Sequence, residues 1–425
     1  MKLESYWLDT APPFTAGAPG PFEGRVDALV IGAGFTGLSA AQALAQRGAT
    51  VALAEATRIG ALASGRNGGQ CNGGLAHDYG PLVERFGLGT VRLWHRAYCD
   101  AVDSVERLVR EESIECGFTR HGRLKLAAKP RHYPGLVQTC ERMLRDFDPD
   151  YRLIPPEAIR GEVDSPLFHG GMLHTRSAQL HVGEFAIGLA HAAARRGARI
   201  YENAPVTALE RLPGGGFRAS TPRGTLEAAQ VLVATGSTDI GPFGWFRRRM
   251  APVGSFIIVT EPLGAAVLDR LLPQGRSYVT SRVIGNYFRR TPDQRLLFGG
   301  RARFAVSSPR ADAHCGEILR ATMARTFPEL AGARIDYVWG GSVDMTIDRL
   351  PRAGEHDGMH YAMGYSGHGT QMSVHMGQVM ARVMAGETEA NPWRQLHWSA
   401  IPGHTGSPWF MPVVGSWYRL LDLIH

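Results

Sequence analysis

The sequence contains little cysteine and no long hydrophobic run. Its cysteines are widely spaced, their number is odd, and no Cys-x-x-Cys pair occurs among Cys71, Cys99, Cys116, Cys140 and Cys315. This pattern argues against a disulfide framework or a zinc site and favours a reducing compartment. No segment approaches the roughly 18 apolar residues of a membrane span, and the N-terminus lacks the apolar centre of a signal peptide. We therefore expect a cytoplasmic protein without an integral membrane segment or a metal.

The chain also has little excess charge of either sign. Lysine and arginine together number 46 against 39 acidic residues, and the densest basic run is only Arg247-Arg248-Arg249. No basic stripe is interleaved with aromatic residues, which argues against a nucleic-acid partner. No residue type dominates the composition, which excludes fibrous, coiled-coil and disordered classes. A length of 425 residues predicts two domains or one two-lobed unit.

Glycine, by contrast, is abundant, with 52 residues. The segment Gly32-Ala33-Gly34-Phe35-Thr36-Gly37 lies between a predicted strand at 27–31 and a predicted helix at 38–46. In such a unit the first glycine permits a tight turn, the second lets a pyrophosphate approach the backbone, and the third allows helix and strand to pack closely. Glu55 ends the next predicted strand, where an acid accepts hydrogen bonds from both ribose hydroxyls and disfavours NADP. The unit therefore predicts a dinucleotide site.

Two further glycine-rich segments favour FAD over NAD. Ala63 to Gln70 follows the second predicted strand, and its bare backbone permits close approach of a flat ring. Gly364 to Thr370 precedes a predicted helix at 370–384, whose free amides and dipole would stabilise negative charge on a reduced flavin. Two such loops at opposite ends of the chain suit a buried flavin better than an exchanging nicotinamide.

The order of predicted elements indicates a mixed α/β (α+β) fold. Strand-helix-strand patterns occur near both ends, and mostly antiparallel strands lie between them. We expect a discontinuous Rossmann-like FAD-binding domain and an antiparallel-sheet substrate domain. The predicted ranges are 25–92, 160–240 and 332–390 for the first domain, 93–159 and 241–331 for the second, 1–24 for an N-terminal surface arm, and 391–425 for a C-terminal extension.

With these motifs in place, the chain resembles the glycine/D-amino-acid oxidase (DAO) superfamily of FAD-dependent flavoproteins, and within it the γ-glutamylputrescine oxidase-like group. The resemblance covers essentially the whole chain, and the 63–70 and 364–369 segments are its most specific motifs. Further matching segments are Ser5-Tyr6-Trp7, Phe327-Pro328-Glu329-Leu330, Ile335-Asp336-Tyr337-Val338-Trp339 and Ile401-Pro402-Gly403.

The resemblance implies a function as well as a fold. It implies that substrate binds between the flavin ring and a large antiparallel sheet, and that an amine or amino acid loses a hydride from its C–N bond to flavin N5. The imine is then hydrolysed, and oxygen reoxidises the flavin with release of hydrogen peroxide. The expected partners are a small-molecule substrate and oxygen or a quinone-type electron acceptor.

The residues expected to hold FAD lie in the three glycine-rich segments and, by resemblance, in strands beside them. They are Gly32, Gly34, Phe35, Thr36, Gly37, Glu55, Ala56, Ala63, Ser64, Asn67, Gly68, Gly69, Gln70, Val206, Ala234, Thr235, Gly236, Gly341, Gly367, His368, Gly369, Thr370 and Gln371.

Four residues are candidates for contact with substrate. His368 and Tyr365 lie in the segment Gly364 to Thr370, here called the second flavin loop, and Tyr287 and Arg301 lie on the antiparallel sheet of the substrate domain. An arginine on that sheet, Arg301 or Arg289, would clamp a substrate carboxylate through a bidentate pair. The alternatives are structural: His368 braces its turn, and the sheet residues form surface ion pairs or pack. Asp344 and Arg349 would instead form an ion pair with each other near the flavin ring.

Departures from the family pattern leave other functions open. The segment Trp339-Gly340-Gly341-Ser342 lacks the cysteine that binds flavin covalently in some relatives, so we predict non-covalent FAD. Leu297 and Gln371 occupy the positions where sarcosine-oxidase-like members have lysines, which leaves a quinone-linked dehydrogenase open. A non-catalytic flavin-binding subunit is a further alternative. The segment 178–182 departs from the γ-glutamylputrescine oxidase pattern, so the substrate need not be γ-glutamylputrescine.

Overall fold

The computed structural model describes residues 1–75, 77–300, 307–406, 409–411, 415 and 417. The helices, in chain order, are α1 Tyr6–Thr10, α2 Phe35–Gln46, α3 Ala63–Arg66, α4 Tyr79–Phe86, α5 Leu88–Glu111, α6 Tyr133–Asp146, α7 Val182–Arg195, α8 Gly244–Arg247, α9 Ala265–Leu271, α10 Pro309–Thr326 and α11 Gly369–Met384. Within the described residues, no helix is both long enough and apolar enough to span a membrane.

The strands alternate with these helices in two large sheets and one small one. In chain order they are β1 Gly24–Ile31, β2 Val51–Ala54, β3 Gln70–Cys71, β4 Arg123–Leu126, β5 Tyr151–Ile154, β6 Gly171–His174, β7 Ala178–Gln179, β8 Arg199–Tyr201, β9 Ala208–Arg211, β10 Phe217–Thr221, β11 Gly224–Val233, β12 Ala251–Thr260, β13 Ser277–Thr280, β14 Asn286–Arg290, β15 Leu296–Gly300, β16 Ile335–Met345, β17 Arg352–His356 and β18 Met359–Met363.

The first large sheet has a parallel centre, as the β-α-β patterns predict. Its order is β17-β18-β11-β1-β2-β8, and every neighbouring pair is parallel except β17 and β18. β10 pairs antiparallel with β11, and β9 pairs with β10. Ile31 pairs in register with Ala54 on one side and with Val233 on the other. Because parallel strands end at one edge, the three segments that follow these residues meet there. This edge is where a nucleotide binds in such folds.

One face of this sheet is covered by α2, α7 and α11, and α5 packs outside them. A Cβ at Gly377 of α11 would lie 2.5 Å from the Thr36 carbonyl oxygen of α2, so glycine permits the close helix contact. The hydroxyl of Ser104 on α5 is 3.0 Å from Nδ1 of His375 on α11. Although α5 lies mostly in the range predicted for the substrate domain, it therefore packs on the cofactor domain.

The second large sheet has the order β16-β12-β15-β14-β13-β4-β6-β5. All its neighbouring strands are antiparallel except β4 and β13, which are parallel. Apolar side chains of this sheet, including Leu124, Phe256 and Phe298, form a core with Leu319 and Met323 of α10. The opposite face is therefore left free to line a cavity, and the predicted fold class is confirmed.

Sheet membership differs from the predicted domain ranges at two strands. β6 and β16 lie inside ranges expected for the cofactor domain, yet both pair in the second sheet. β16 pairs with β12 from Met345 to Ile335, almost along its whole length. Domain boundaries of this kind depend on which strands pair in three dimensions, and local sequence patterns do not encode that choice.

The first part of the N-terminal segment is not a surface arm, which corrects the sequence-based expectation for Ser5, Tyr6 and Trp7, whereas most of residues 9–24 is exposed. Trp7 is fully buried and Tyr6 is 3% exposed, because α1 packs beside α3 and α7. At the other end of the chain, Trp393 and Trp398 are buried and Trp409 is 67% exposed. Both termini thus contribute aromatic side chains to the core.

Candidate active site

A cavity of about 1750 Å³ lies between the carboxyl edge of the first sheet and the free face of the second. Ligand pockets for single small molecules have volumes of roughly 300–1,000 Å³, so this cavity has room for a dinucleotide and a substrate together. All three glycine-rich segments reach its wall.

At the first end, the turn after β1 opens onto the start of α2. Gly32 has φ +104°, and a Cβ there would lie 2.8 Å from the Ala234 carbonyl oxygen, so only glycine fits. The first intrahelical bond runs from Leu38 N to Gly34 O at 3.0 Å, which leaves the amides of Thr36 and Gly37 before it. Gly34, Phe35 and Thr36 line the cavity. Amides without an intrahelical partner at a helix start suit the pyrophosphate site that the sequence predicts here.

The third glycine, Gly37, permits the close contact between turn and helix that the sequence predicts. Gly37 does not line the cavity, and a Cβ on it would collide with the carbonyl oxygen of Gly32. Phe35 N is not free either, because it donates a hydrogen bond of 2.9 Å to the hydroxyl of Ser64. The turn is therefore tied directly to the second glycine-rich segment.

Glu55 lies at the end of β2 and lines the cavity with Ala56. Its carboxylate accepts a bond of 2.7 Å from Ala33 N on one oxygen and 2.9 Å from Thr57 N on the other. The oxygen bound by Thr57 N also accepts a bond of 3.2 Å from Thr57 Oγ1, whereas the oxygen bound by Ala33 N keeps a lone pair for a ribose hydroxyl. Val206 and the segment 234–236, which are also predicted to contact the cofactor, line the same cavity.

The segment 63–70 is held by hydrogen bonds from distant parts of the chain. Three successive carbonyl oxygens accept side-chain donors: Gly65 from Ser5 Oγ at 2.6 Å, Arg66 from Trp339 Nε1 at 2.9 Å, and Asn67 from Trp7 Nε1 at 2.7 Å. Within the segment, Asn67 Oδ1 accepts bonds from Gly69 N and from Thr370 Oγ1. These bonds fix the position of the segment relative to the N-terminus, β16 and α11.

Of the residues predicted in this segment, Ala63, Ser64, Asn67, Gly68 and Gln70 line the cavity and Gly69 does not. A Cβ on Gly68 would lie 2.8 Å from Tyr287 Cε2, and a Cβ on Gly69 would lie 2.5 Å from the Leu180 carbonyl oxygen. The absence of a side chain at Gly68 thus leaves room for the Tyr287 ring of the second sheet. The absence of a side chain at Gly69 leaves room for the Leu180 carbonyl group.

The second flavin loop contributes Tyr365, Gly367, His368, Gly369 and Thr370 to the wall, and Gly341 of β16 lies nearby. α11 begins at Gly369 with no side-chain cap, so its first amides lack a capping partner at a place where Gly369 and Thr370 line the cavity. Gln371, a predicted cofactor residue, is instead fully buried outside the wall and donates to Asn72 O at 2.6 Å. The hydroxyl of Tyr365 is 2.8 Å from Thr36 Oγ1, which joins the two loops.

His368 is the predicted catalytic residue with the most unusual surroundings. Both its ring nitrogens are buried and have no hydrogen-bond partner among the described residues. Burial, followed by the positive charges of Arg123, His77 and Arg349, lowers the pKa of His368 to about 3. The imidazole is therefore neutral at physiological pH.

Of the two arginines predicted to clamp substrate, the one that the structure describes, Arg289, does not meet that expectation. Arg289 is 1% exposed and donates to the carbonyl oxygens of Gly69 and Leu180 at 3.1 and 2.9 Å, so it supports the loop from behind. Arg301 lies outside the described residues. Tyr287 lines the cavity, with its hydroxyl 3.1 Å from Ser255 Oγ.

The suggested Asp344–Arg349 pair is also wrong. The Asp344 carboxylate accepts bonds from the amide, at 3.0 Å, and from the hydroxyl of Ser237. Burial raises the pKa of Asp344, and the Ser237 donors act against that rise. Asp344, Ser237 and Arg349 line the cavity separately.

Sequence reasoning missed the residues at the far end of the cavity. Arg123 and Lys125 of β4 line it together with Tyr79 and Tyr151. Their sequence, Arg-Leu-Lys-Leu, alternates charged and apolar residues, and this half-buried strand pattern was the available signal.

Behind the tyrosines lies a buried polar network. Asp148 Oδ2 is 3.0 Å from His95 Nε2 and 3.1 Å from His174 Nε2, and His95 Nδ1 is 2.7 Å from the hydroxyl of Tyr79. His95, Cys99 and Asp148 have ligand atoms close enough for a metal ion. Because Asp148 and His95 already bind one another and their neighbours, the contacts fit a hydrogen-bonded support for Tyr79.

The donor set of the cavity fits FAD. Free amides lie at the starts of α2 and α11, and an acid follows β2. Buried polar atoms of Gln70, Asn72 and His368 have no partner in the part of the chain that the structure describes. The first loop would hold the pyrophosphate, Glu55 the ribose, and the 63–70 and 365–370 segments the flavin ring.

Comparison with known proteins agrees with this assignment. A family model described as FAD dependent oxidoreductase matches residues 27–383. Gamma-glutamylputrescine oxidoreductase of Escherichia coli (strain K12) is 31% identical over 401 residues, 93% of this chain and 92% of that protein. Probable oxidoreductase OrdL of Rhizobium meliloti (strain 1021) is 32% identical over 413 residues, 95% and 93% of the two chains.

Among solved structures, glycine oxidase from Geobacillus kaustophilus has a TM-score of 0.69 at 21% identity, covering 88% of this chain and 96% of that one. At that identity the likeness shows a shared fold. The predicted family resemblance and the predicted cofactor are both confirmed by these matches. The chain belongs to the family of FAD dependent oxidoreductases, and FAD is its cofactor.

Proposed function

We propose that this enzyme oxidises the C–N bond of an amine or amino acid, that the imine is hydrolysed, and that oxygen is the electron acceptor. The observation that carries the proposal is the pairing of two glycine loops with a sheet face across one cavity. The relative from Escherichia coli, named for γ-glutamylputrescine, supports an amine as substrate. When bound, the flavin accepts the hydride from the carbon beside the substrate nitrogen.

The chain's own residues would orient the substrate and set its protonation state. Only a neutral amine has the lone pair that stabilises the developing iminium, so the ammonium form must lose a proton. His368 is a poor base for that proton, because its pKa of about 3 is far below that of an amine. Its unpartnered ring nitrogens are suited to accept or donate one hydrogen bond to the substrate.

The positive charges near His368 favour the neutral amine without a base. Arg123 lies close enough to His368 to lower its pKa, and Lys125 lies on the same strand face. A like charge nearby disfavours a second cation, so the bound amine releases its proton more easily than in water. The proton leaves to solvent.

A second candidate, a dehydrogenase that passes electrons to a quinone, is favoured by one observation. Leu297 and Gln371, at the positions where the resemblance leads one to expect lysines, are both fully buried and uncharged. We also propose that FAD is bound non-covalently. All five cysteines are buried, and none is among the described residues of the cavity wall.

The decisive experiment is an anaerobic screen of amines and amino acids against the purified yellow holoenzyme. Loss of the visible flavin absorbance with at least one substrate supports the proposal, and no loss across a broad panel refutes it. Oxygen uptake with peroxide release then identifies an oxidase, whereas turnover only with an added quinone identifies a dehydrogenase. Yellow colour left in an acid-precipitated pellet would contradict non-covalent binding.

A further inference from the structure

A buried cluster of three metal-ligating side chains lies behind Tyr79 and does not line the cavity. His95 and Cys99 are four residues apart on α5, so they share one face of that helix. Asp148, in the loop between α6 and β5, reaches the same point. The three side chains are between 1% and 5% exposed. The cluster therefore connects α5 to this loop inside the protein.

The distances within the cluster are close to those across a tetrahedral zinc site. Cys99 Sγ lies 3.6 Å from His95 Nε2 and 3.5 Å from Asp148 Oδ2, and the nitrogen and the oxygen are 3.0 Å apart. Zinc binds sulfur at about 2.3 Å and nitrogen or oxygen at about 2.0–2.1 Å. At a tetrahedral angle these bond lengths put the sulfur roughly 3.5 Å from each lighter atom, and the two lighter atoms roughly 3.3 Å apart. One ion between the three atoms would thus require ligand shifts of only a few tenths of an ångström.

Hydrogen bonds account for only two of these three contacts. His95 Nδ1 is 2.7 Å from the hydroxyl of Tyr79, so a neutral imidazole that accepts this hydroxyl proton carries its own proton on Nε2. That proton is donated to Asp148 Oδ2, and the thiol proton of Cys99 is donated to the same oxygen. No proton then lies between Sγ and Nε2. A metal ion replaces both protons and binds all three atoms at once.

Two of the ligand side chains are oriented by further partners, as ligands of metal sites usually are. Tyr79 faces Nδ1 of His95, the ring nitrogen that would not bind the metal. Asp148 accepts a bond of 2.8 Å from Asp150 N through Oδ1, which leaves Oδ2 for the metal. His174 Nε2 lies 3.1 Å from Asp148 Oδ2 on a neighbouring strand, β6. The imidazole and the carboxylate are therefore held in position by the surrounding fold.

The third ligand, the Cys99 sulfur, lies in surroundings that call for a cation. Burial, followed by the charge of Asp148, raises the pKa of the Cys99 thiol to about 12, and a hydrogen bond with the Gly74 backbone acts against that rise. A thiolate beside a buried carboxylate is costly unless a positive charge lies between them. A divalent metal displaces the thiol proton because the thiolate is the form that binds. Thiolate and carboxylate together neutralise the two charges of a zinc ion.

We propose that His95, Cys99 and Asp148 bind a structural zinc ion, with His174 able to supply the fourth ligand. Thiolate, imidazole and carboxylate are all common zinc ligands, and a buried site without an open face is typical of a structural ion. The ion would fix α5 to the loop before β5 directly behind Tyr79, which lines the far end of the cavity. The proposal departs from the sequence-based expectation of no metal, because a helical His-x-x-x-Cys pair completed by a distant aspartate has no Cys-x-x-Cys signature.

Metal analysis of the untagged holoenzyme tests the proposal. Wild-type protein that is incubated with Zn²⁺ and then passed through gel filtration should retain about one zinc ion per chain. Cys99→Ala should retain less than about a tenth of that amount, because it removes the sulfur ligand. The matched control is Cys140→Ala on α6, since Cys140 is also 1% exposed but does not belong to the cluster. Wild-type zinc below about a tenth of an ion per chain, or equal zinc in the two variants, would overturn the proposal.

X-ray absorption at the zinc edge keeps the proposal testable if Cys99→Ala does not fold. The zinc-loaded wild-type holoenzyme should show a sulfur neighbour at about 2.3 Å together with nitrogen or oxygen neighbours at about 2.0 Å. A shell of nitrogen and oxygen alone would mean that zinc binds elsewhere, and it would overturn the proposal.

Thermal unfolding tests the structural role of the ion. A chelator should lower the Tm of zinc-loaded wild type and of Cys140→Ala, because bound zinc stabilises the folded chain, and it should leave the Tm of Cys99→Ala unchanged. The same Tm with and without chelator in wild type would overturn the assignment of a structural zinc. None of these measurements depends on amine oxidation, so the proposed function and the zinc site can fail separately.

Discussion

Replacing Trp7 by phenylalanine tests whether the N-terminal residues organise the flavin-binding segment. Trp7 is fully buried, and its indole Nε1 donates the 2.7 Å bond to Asn67 O. Phenylalanine keeps a large aromatic ring in place and removes that donor. The Asn67 carbonyl, in the middle of the 63–70 segment, then loses its partner.

The expected effect follows from two costs. A buried carbonyl left without a donor costs about 1–3 kcal/mol, and the smaller ring leaves space that costs about 1 kcal/mol more. Part of this cost weakens the binding of FAD, because the 63–70 segment must be ordered before it can contact a flavin. If about 1.4 kcal/mol of ordering free energy moves to the binding step, the Kd for FAD rises about tenfold.

The assay is titration of deflavinated protein with FAD, followed by quenching of flavin fluorescence. Trp409→Phe is a matched control, because Trp409 Nε1 also donates to a backbone carbonyl, that of Gly403 at 3.0 Å, but the side chain is 67% exposed. An exposed bond of this kind is replaced by water at little cost. Equal FAD affinities of Trp7→Phe and Trp409→Phe would refute the idea that the N-terminus positions this segment.

Three further outcomes are expected. Gly68→Ala should lower bound FAD per chain, because its Cβ would lie 2.8 Å from Tyr287 Cε2, whereas Gly89→Ala in the exposed part of α5 should retain FAD; equal flavin content would contradict this. Burial lowers the pKa of His181 to about 4, against 6.5 in the unfolded chain. Between these values only the unfolded chain is protonated at this residue, so the free energy of unfolding falls by about 3 kcal/mol as the pH drops from 6.5 to 4. His181→Asn should flatten the decline of Tm over that range, and an unchanged profile would exclude this origin. Lys125→Met should raise the free energy of unfolding by about 1 kcal/mol, since it removes a half-buried unpaired charge; a lower Tm would show that the charge is compensated in the free enzyme.

The local motifs are predictable because their function depends on short stretches of backbone. At Gly32 a positive φ and a close carbonyl permit no side chain, so the glycine pattern is visible in the sequence itself. The acid after β2 and the bare helix start at Gly369 are likewise local features. The family, the cofactor and the parallel sheet all follow from such local features.

Side-chain direction, by contrast, depends on tertiary pairing. Tyr287 and Arg289 lie on one face of β14, yet the first lines the cavity and the second supports the carbonyls of Gly69 and Leu180. Which of them meets substrate depends on where the 63–70 segment crosses the sheet. The sequence identifies both residues, but it does not specify where the 63–70 segment crosses the sheet.

The sequence by itself determined the fold and the cofactor of the nucleotide-binding half of this protein. In that half the backbone lines the site, and the glycines that leave the backbone accessible are visible in the sequence. The tertiary structure alone decided the substrate half. Trp7 reaches Asn67 across 60 positions, and Arg123 acts on His368 from a strand that the sequence places in another domain. Such contacts arise from strand order and helix packing, which bring together residues that no local pattern connects.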